Sequence, residues 1–273
     1  MKTAVSARKE LPRIVRELNV VLTLTAREIV MAVKAPQRIF MALIWPVIMF
    51  GMFGSQLSQN MGLGMGFDFN AFMLVGMLVN ALFMMTITGV ITLVENKEND
   101  FTQEILVSPT SRYAIIFGKI VGSSFTGYIQ FFATILIGLF IGATMTASQF
   151  WMILAISPLF CLAAGAFSML LVGFVRNAAA AGTLSMLVSM LQMFLSGALI
   201  PVTESTGIMA ILSRTLPMTY CVDFARGLFY DGTSLDKTPT LYPPEVDLMI
   251  IIAFTFVFFV AGTLNFVRQE KNK

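Results

Sequence analysis

Six runs of the chain, 40–57, 71–94, 120–141, 150–175, 178–200 and 248–267, contain no Asp, Glu, Lys or Arg and are separated by more polar segments of very different lengths. Each is close to or above the ~20 residues a helix needs to cross ~30 Å of hydrocarbon. The pattern predicts an all-α integral membrane protein with six transmembrane helices. Ahead of them, Leu11, Ile14, Val15, Leu18, Leu22, Ile29 and Val33 recur at helical spacing, while Arg13, Arg16, Glu17, Arg27 and Glu28 fall on other faces. This segment reads as an amphipathic helix lying along the membrane surface, with a soluble helix packed on a partner as the alternative.

Six crossings place both termini on one side. Of the 18 Lys and Arg, eight lie in the segment up to Arg38; Lys97, Arg112 and Lys119 follow the second run, Arg176 separates the fourth from the fifth, and Arg268, Lys271 and Lys273 end the chain. The opposite side keeps only Arg214, Arg226 and Lys237. Basic residues are retained on the cytoplasmic side, so both termini are expected there, in a multi-pass protein of the cell membrane, the cytoplasmic membrane of a prokaryote fitting best. The N-terminus lacks an apolar core followed by a small-residue cleavage site, so the first run itself is expected to direct insertion.

Inside the runs, Pro46 and Pro158 each remove a helix hydrogen bond and predict kinks. Gly118 with Gly122 and Gly138 with Gly142 form two pairs of small residues four apart, the spacing of close helix packing. Residues 56–70 suit a short outer loop. From Pro201 to Asp231 the chain is moderately apolar but broken by Pro217 and by Glu204, Arg214, Asp223 and Arg226. It cannot span, and two short helices that dip into the outer leaflet and return are expected, with Asp223 and Arg226 three apart and able to pair on one helix face. The stretch DGTSLDKTPTLYPPEVD that follows is turn-rich and reads as an exposed outer loop. Ser185, Ser189, Gln192 and Ser196 make one polar stripe along the fifth run, which must face a neighbouring helix or a cavity rather than lipid.

Composition narrows the chemistry. With 57% hydrophobic and 12% charged residues, against about a quarter charged in soluble domains, the net charge of +3 is a topology signal. The basic residues form no folded basic face, which excludes a nucleic-acid partner. There is no His, so no metal site is expected, and Cys161 and Cys221 read as buried free thiols. By these boundaries no run holds an ionisable side chain, which argues against a proton-driven antiporter or an ion pump. No catalytic residue is expected: an enzyme acting on lipid or polyprenyl substrates would need paired carboxylates, a His, or a nucleophile with a base near the membrane surface. The chain also lacks G-x-x-x-x-G-K-[ST], so nucleotide hydrolysis would have to occur in another subunit.

One segment suits coupling to such a subunit. In ENKENDFTQEILVSPTSRYAIIFGKI, the acidic Glu95, Glu98, Asp100 and Glu104 alternate with apolar Phe101, Ile105 and Leu106 before Pro109, giving a short amphipathic helix able to enter a protein groove. A solvated turn extending the second run is the alternative. This segment, with its ILVSPTSRYAIIFGK, and the later FLSGALIPVTESTGIMAILSRTLPMTYCVDFARGLF resemble the membrane subunit of ABC type-2 exporters. Within that family the chain is most similar to the drug- and lipid-exporting branch that includes daunorubicin-resistance permeases.

The resemblance covers nearly the whole chain and implies one transmembrane domain over 1–273. Its parts would be a cytoplasmic amphipathic segment at 1–38, a coupling segment at 95–112, and outer re-entrant helices and loop at 201–247. It further implies a permease that binds no cofactor itself, with ATP and Mg in a partner ABC ATPase subunit, a second permease copy, surrounding membrane lipids, and export of a hydrophobic, lipid-like or drug-like substrate. Glu95, Glu98, Phe101, Thr102, Glu104, Ile105, Leu106 and Pro109 would couple to the ATPase. Trp45, Ser185, Ser189, Gln192 and Ser196 would line the path or the dimer seam, and Pro201, Pro217, Tyr220, Asp223 and Arg226 would belong to the re-entrant helices. A lipid-modifying membrane enzyme and an ABC-coupled machine that does not transport remain the alternatives.

Overall fold

A computed structural model describes residues 13–54, 67–98, 111–175, 177–203, 205–231 and 239–271. Among them the regular structure is helical, with no strand. The helices are α1 (Arg13–Val33), α2 (Pro36–Met49, passing into a π turn over Phe50–Gly54), α3 (Phe69–Glu98), α4 (Arg112–Phe140), α5 (Ala147–Val172), α6 (Ala178–Leu195), α7 (Gly207–Thr215), α8 (Pro217–Phe229) and α9 (Pro244–Lys271).

Among the described residues, four stretches are long and apolar enough to cross a membrane: Phe69–Thr92 in α3, Tyr113–Phe140 in α4, Ala147–Val172 in α5 and Pro244–Asn265 in α9. The first and fifth expected spans correspond to shorter apolar helices, Leu43–Met52 and Ala179–Leu195. Local chemistry sets their lengths. In α2, Pro46 cannot donate to the helix ladder, and the turn beyond it widens, with the Phe50 N–H shared between the carbonyls of Pro46 and Val47. In α6, Asn177 accepts from the Ala180 N–H at 2.7 Å, and the helix ends before Gly197, whose φ of +83° suits a residue without a side chain. At 18 residues, α6 is about 27 Å long, close to the hydrocarbon thickness.

The core is built around α3. Every residue from Ala71 to Phe83 is buried, and α4, α5, α6 and α8 all pack on this helix. Its approach to the turn after α6 depends on Gly76, because a Cβ there would collide with the Ala198 carbonyl. Phe72, Phe83, Phe131 and Phe160 fill the interior. By contrast, α9 packs on α5 and α8 but leaves Met249, Ile252, Phe256 and Val257 exposed. In a membrane protein, such a surface faces lipid or another subunit.

The amphipathic segment is helical as expected, and α1 lies against α4. Gly118 meets Val21, and Gly122 meets Thr25 and Glu28, so this glycine pair packs helices closely. Val15, Leu18, Leu22 and Val33 of the sequence-predicted stripe are exposed, leaving an apolar face for the membrane. In the other pair, Gly138 packs against Leu74 and Phe50, but Gly142 has open space around it and a φ of +99°; it closes α4 rather than packing a helix.

Ionisable side chains do occur inside the spans as folded, because α4 and α9 begin before the apolar runs that announced them. Lys119, near the start of α4, donates to Glu28 Oε1 of α1 at 2.6 Å, and the two side chains are 4% and 12% exposed. Asp247, in the first turn of α9, is fully buried.

Candidate functional site

The polar chemistry concentrates at the end of the bundle that carries α7 and α8. Pro217, with its fixed φ, starts α8 directly after Leu216 closes α7. The corner is fastened by Thr219 Oγ1 donating to the Ser213 carbonyl at 2.5 Å and by Tyr220 Oη donating to the Arg214 carbonyl at 2.7 Å. Asp68 stands at the start of α3, where its Oδ1 accepts from the Asn70 N–H and its Oδ2 from Thr144 Oγ1.

Arg226 is the cation at the centre of this end. It is 3% exposed, its guanidinium carbon lies 3.4 Å from the centre of the Phe72 ring, and its Nη2 donates to the carbonyls of Phe72 at 3.3 Å and Ala198 at 3.2 Å. It therefore ties α8 to α3 and to the turn after α6. Burial pushes this guanidinium down, to about 9, with Tyr230 and Asp223 acting against the shift. At neutral pH it remains a cation held by carbonyl oxygens and an aromatic face.

Asp223, one turn earlier, does not form the expected ion pair with Arg226. Its oxygens accept from the backbone N–H groups of Leu241, at 2.8 Å to each oxygen, and Tyr242, at 2.9 Å. The side chain is 4% exposed. Burial raises its carboxyl above the usual range, while these two amides and the charge of Arg226 draw it back. The physical reason is partition of labour: backbone donors of the 239–243 segment satisfy the anion, and backbone acceptors on α3 and after α6 take the hydrogen bonds of the cation's Nη2, while its buried Nε has no partner among the described residues. Of the other residues assigned to the outer helices, Pro217 and Tyr220 are buried and Pro201 is half-buried.

The polar stripe of α6 turns inward. Ser185, Gln192 and Ser196 are 7%, 0% and 1% exposed, and Ser189 is half-buried. The amide atoms of Gln192 and the hydroxyl of Ser196 have no hydrogen-bond partner among the described residues. Met186, Leu187, Met190 and Leu191 form the exposed face of α6 instead. Trp45 lies on an exposed apolar face of α2 with Phe40, Met41, Leu43, Val47 and Ile48. So the stripe lies within this chain against α3 and its neighbours, and the residues presented outward are apolar.

Of the coupling residues, Glu95 and Glu98 belong to the last turn of α3; Phe101, Thr102, Glu104, Ile105, Leu106 and Pro109 lie outside the described residues. Sequence reasoning missed Phe72, the buried pair Lys119 and Glu28, and Asp247. Phe72 carried no signal, since one Phe in an apolar run looks like any other. Lys119 and Asp247 could have been found by extending each helix to its cap, Ser111 before α4 and the Pro243-Pro244 step before α9.

Membrane-length helices around a buried α3, with a short helical corner α7–α8 fastened to it, describe a membrane domain without a catalytic constellation among the described residues. Residues 19–230 match the family profile described as ABC-2 type transporter. The chain belongs to the ABC-2 type transporter family. It is thus a multi-pass membrane permease domain of an ABC transporter, a transport component rather than a catalytic one, of a kind that works with an ABC ATPase. The match begins within α1 and ends just after α8, so it includes the corner built around Arg226. No individual curated protein matches the chain.

Proposed function

We propose that this ABC-2 permease is half of the membrane part of an ATP-driven exporter. It pairs with a second permease copy and with separate ATPase subunits that hold ATP and Mg, and it moves a hydrophobic, lipid-like or drug-like substrate out of the cytoplasm or the inner leaflet. The observation that carries this reading is α3, a 30-residue helix about 45 Å long. It runs without a break from Phe72 under Arg226 to Glu98, so that its last turn from Glu95 is the start of the coupling segment. A rod packed on four neighbours can pass a displacement at its Glu98 end to the helices at its Phe72 end, so nucleotide binding in the ATPase shifts the permease between states.

Orientation follows from charge. The α1 end, with its basic residues, is cytoplasmic together with both termini, and the α7–α8 corner is on the outer side as a re-entrant element, giving six crossings when α2 and α6 are counted. The apolar outward faces of α2 and α6 suit a seam with the second copy. The inward stripe at Gln192 and Ser196 suits a path that opens between α3 and α6 during the cycle.

Reconstitution tests the proposal. Proteoliposomes containing the permease and its ATPase subunit should extrude a fluorescent amphiphile in an ATP-dependent manner, and Phe101→Asp should weaken both ATPase association and extrusion. A permease that neither retains an ATPase nor moves amphiphiles when ATP is supplied would overturn it.

A further inference from the structure

At the start of α9, Asp247 is a buried acid with no part in the proposed transport cycle. It is 0% exposed, and both its oxygens lack a hydrogen-bond donor among the described residues, although it lies within hydrogen-bonding reach of Asp223 across the α8–α9 packing. Two ionised carboxylates have no hydrogen to share, so this geometry is satisfied only when one of them carries a proton.

The surroundings provide no other compensation. Arg226 is committed to the carbonyls of Phe72 and Ala198 and to the Phe72 ring. The start of α9 donates nothing to Asp247: Pro244 has no N–H, and those of Val246 and Asp247 itself go to the Pro243 carbonyl. The titratable groups facing Asp247 are Asp223, Tyr220 and Cys221 of α8. Beyond them stand Arg214 of α7, which acts on Tyr220; Cys161 of α5, which acts on Cys221; and Tyr242 before α9, which stacks on Tyr220. None is a cation bonded to Asp247.

A hard metal ion fits poorly. It needs about six oxygen ligands, while Tyr220 Oη is given to Arg214 and the Asp223 oxygens already accept from Leu241 and Tyr242. A proton needs only the two carboxyl groups.

We propose that Asp223 and Asp247 form a proton-binding site in which one shared proton holds the start of α9 to α8, making the α8 end of the permease responsive to pH. Asp223 accepts this proton's hydrogen bond while keeping the amides of Leu241 and Tyr242, so the site also clamps these two residues ahead of α9. The direction of the pH effect follows from the pair itself: folding brings two carboxyls to one buried site where one of them must hold a proton, a proton that both release at neutral pH when the chain is unfolded. A carboxyl raised by folding takes up a proton as the protein folds. The stability it gives is complete at and below the ordinary carboxylate range and is lost as pH climbs toward the folded-state value.

The test uses the full chain in lipid nanodiscs, with Asp247→Asn as a mimic of the protonated acid, since its amide can donate to Asp223. At neutral pH the wild type should show an infrared carbonyl band of a protonated carboxylic acid that disappears in Asp247→Asn. The wild-type melting temperature should fall by about 3–8 °C between about pH 6 and about pH 9, while that of Asp247→Asn stays level. If the variant does not accumulate, loss of the wild-type band on raising the pH decides alone. No such band, or the same pH slope in both proteins, overturns the site. So does a melting temperature raised by calcium or magnesium in the wild type and not in the variant, which would make it a cation site.

Discussion

The α8 end and the α2–α6 edge satisfy their exceptional residues in opposite ways. At the α8 end, two buried charges bond to backbone: Arg226 to carbonyls of Phe72 and Ala198, Asp223 to amides of Leu241 and Tyr242. Along α2 and α6, large apolar side chains such as Phe40, Met41, Met186 and Met190 are more than half exposed. Buried hydrogen-bonded charges resist movement, because separating them leaves each poorly solvated. Exposed apolar faces can exchange lipid for another helix at little cost, since the tails are as apolar as leucine. The difference assigns a fixed hub to one region and a changeable boundary to the other.

The largest effect in breaking that comparison is expected at the hub. Arg226→Ala removes two charge-assisted hydrogen bonds and the stack on Phe72, and should lower stability by about 2–4 kcal/mol, measured as a drop in melting temperature and in accumulated protein. Because Asp223 and Arg226 have separate partners, exchanging them should not rescue the loss; recovery in the double swap would restore the direct pair that the sequence suggested.

A second effect belongs to the coupling end. Phe101→Asp should leave the fold intact and reduce co-purification of the ATPase by roughly thirtyfold or more, as loss of an aromatic anchor at an interface costs ~2 kcal/mol or more. Unchanged co-purification would remove the segment after α3 from the interface.

The smallest stability effect is expected in the stripe. Gln192→Leu replaces a buried amide that has no partner among the described residues, so stability should hold or rise by about 1 kcal/mol while extrusion changes. A clear loss of stability with normal transport would make Gln192 a packing residue only.

The helical class, the amphipathic α1, its apolar stripe and the helix breaks near Pro201 and Pro217 were legible, because hydrophobic period and helix-breaking residues act locally. Span ends were less so. Lys119 and Asp247 sit within helices that outrun their apolar cores, and a charge can enter a span when a partner such as Glu28 waits on another helix. The α6 stripe was visible as a stripe, but its direction depends on where α3 lies, a matter of tertiary packing. The same holds for Asp223 and Arg226: spacing of three brings them to one face, yet competing backbone groups decided their partners.

The claim that the hub is fixed while the α2–α6 edge meets a second copy is tested most directly by disulfide crosslinking at Met190→Cys in a background lacking Cys161 and Cys221. In membranes containing the permease and its ATPase, the account predicts a crosslinked permease dimer whose yield changes when nucleotide is trapped, whereas a cysteine at the buried Ser185 gives none in the resting state. Efficient crosslinking at 185 with none at 190 would contradict it.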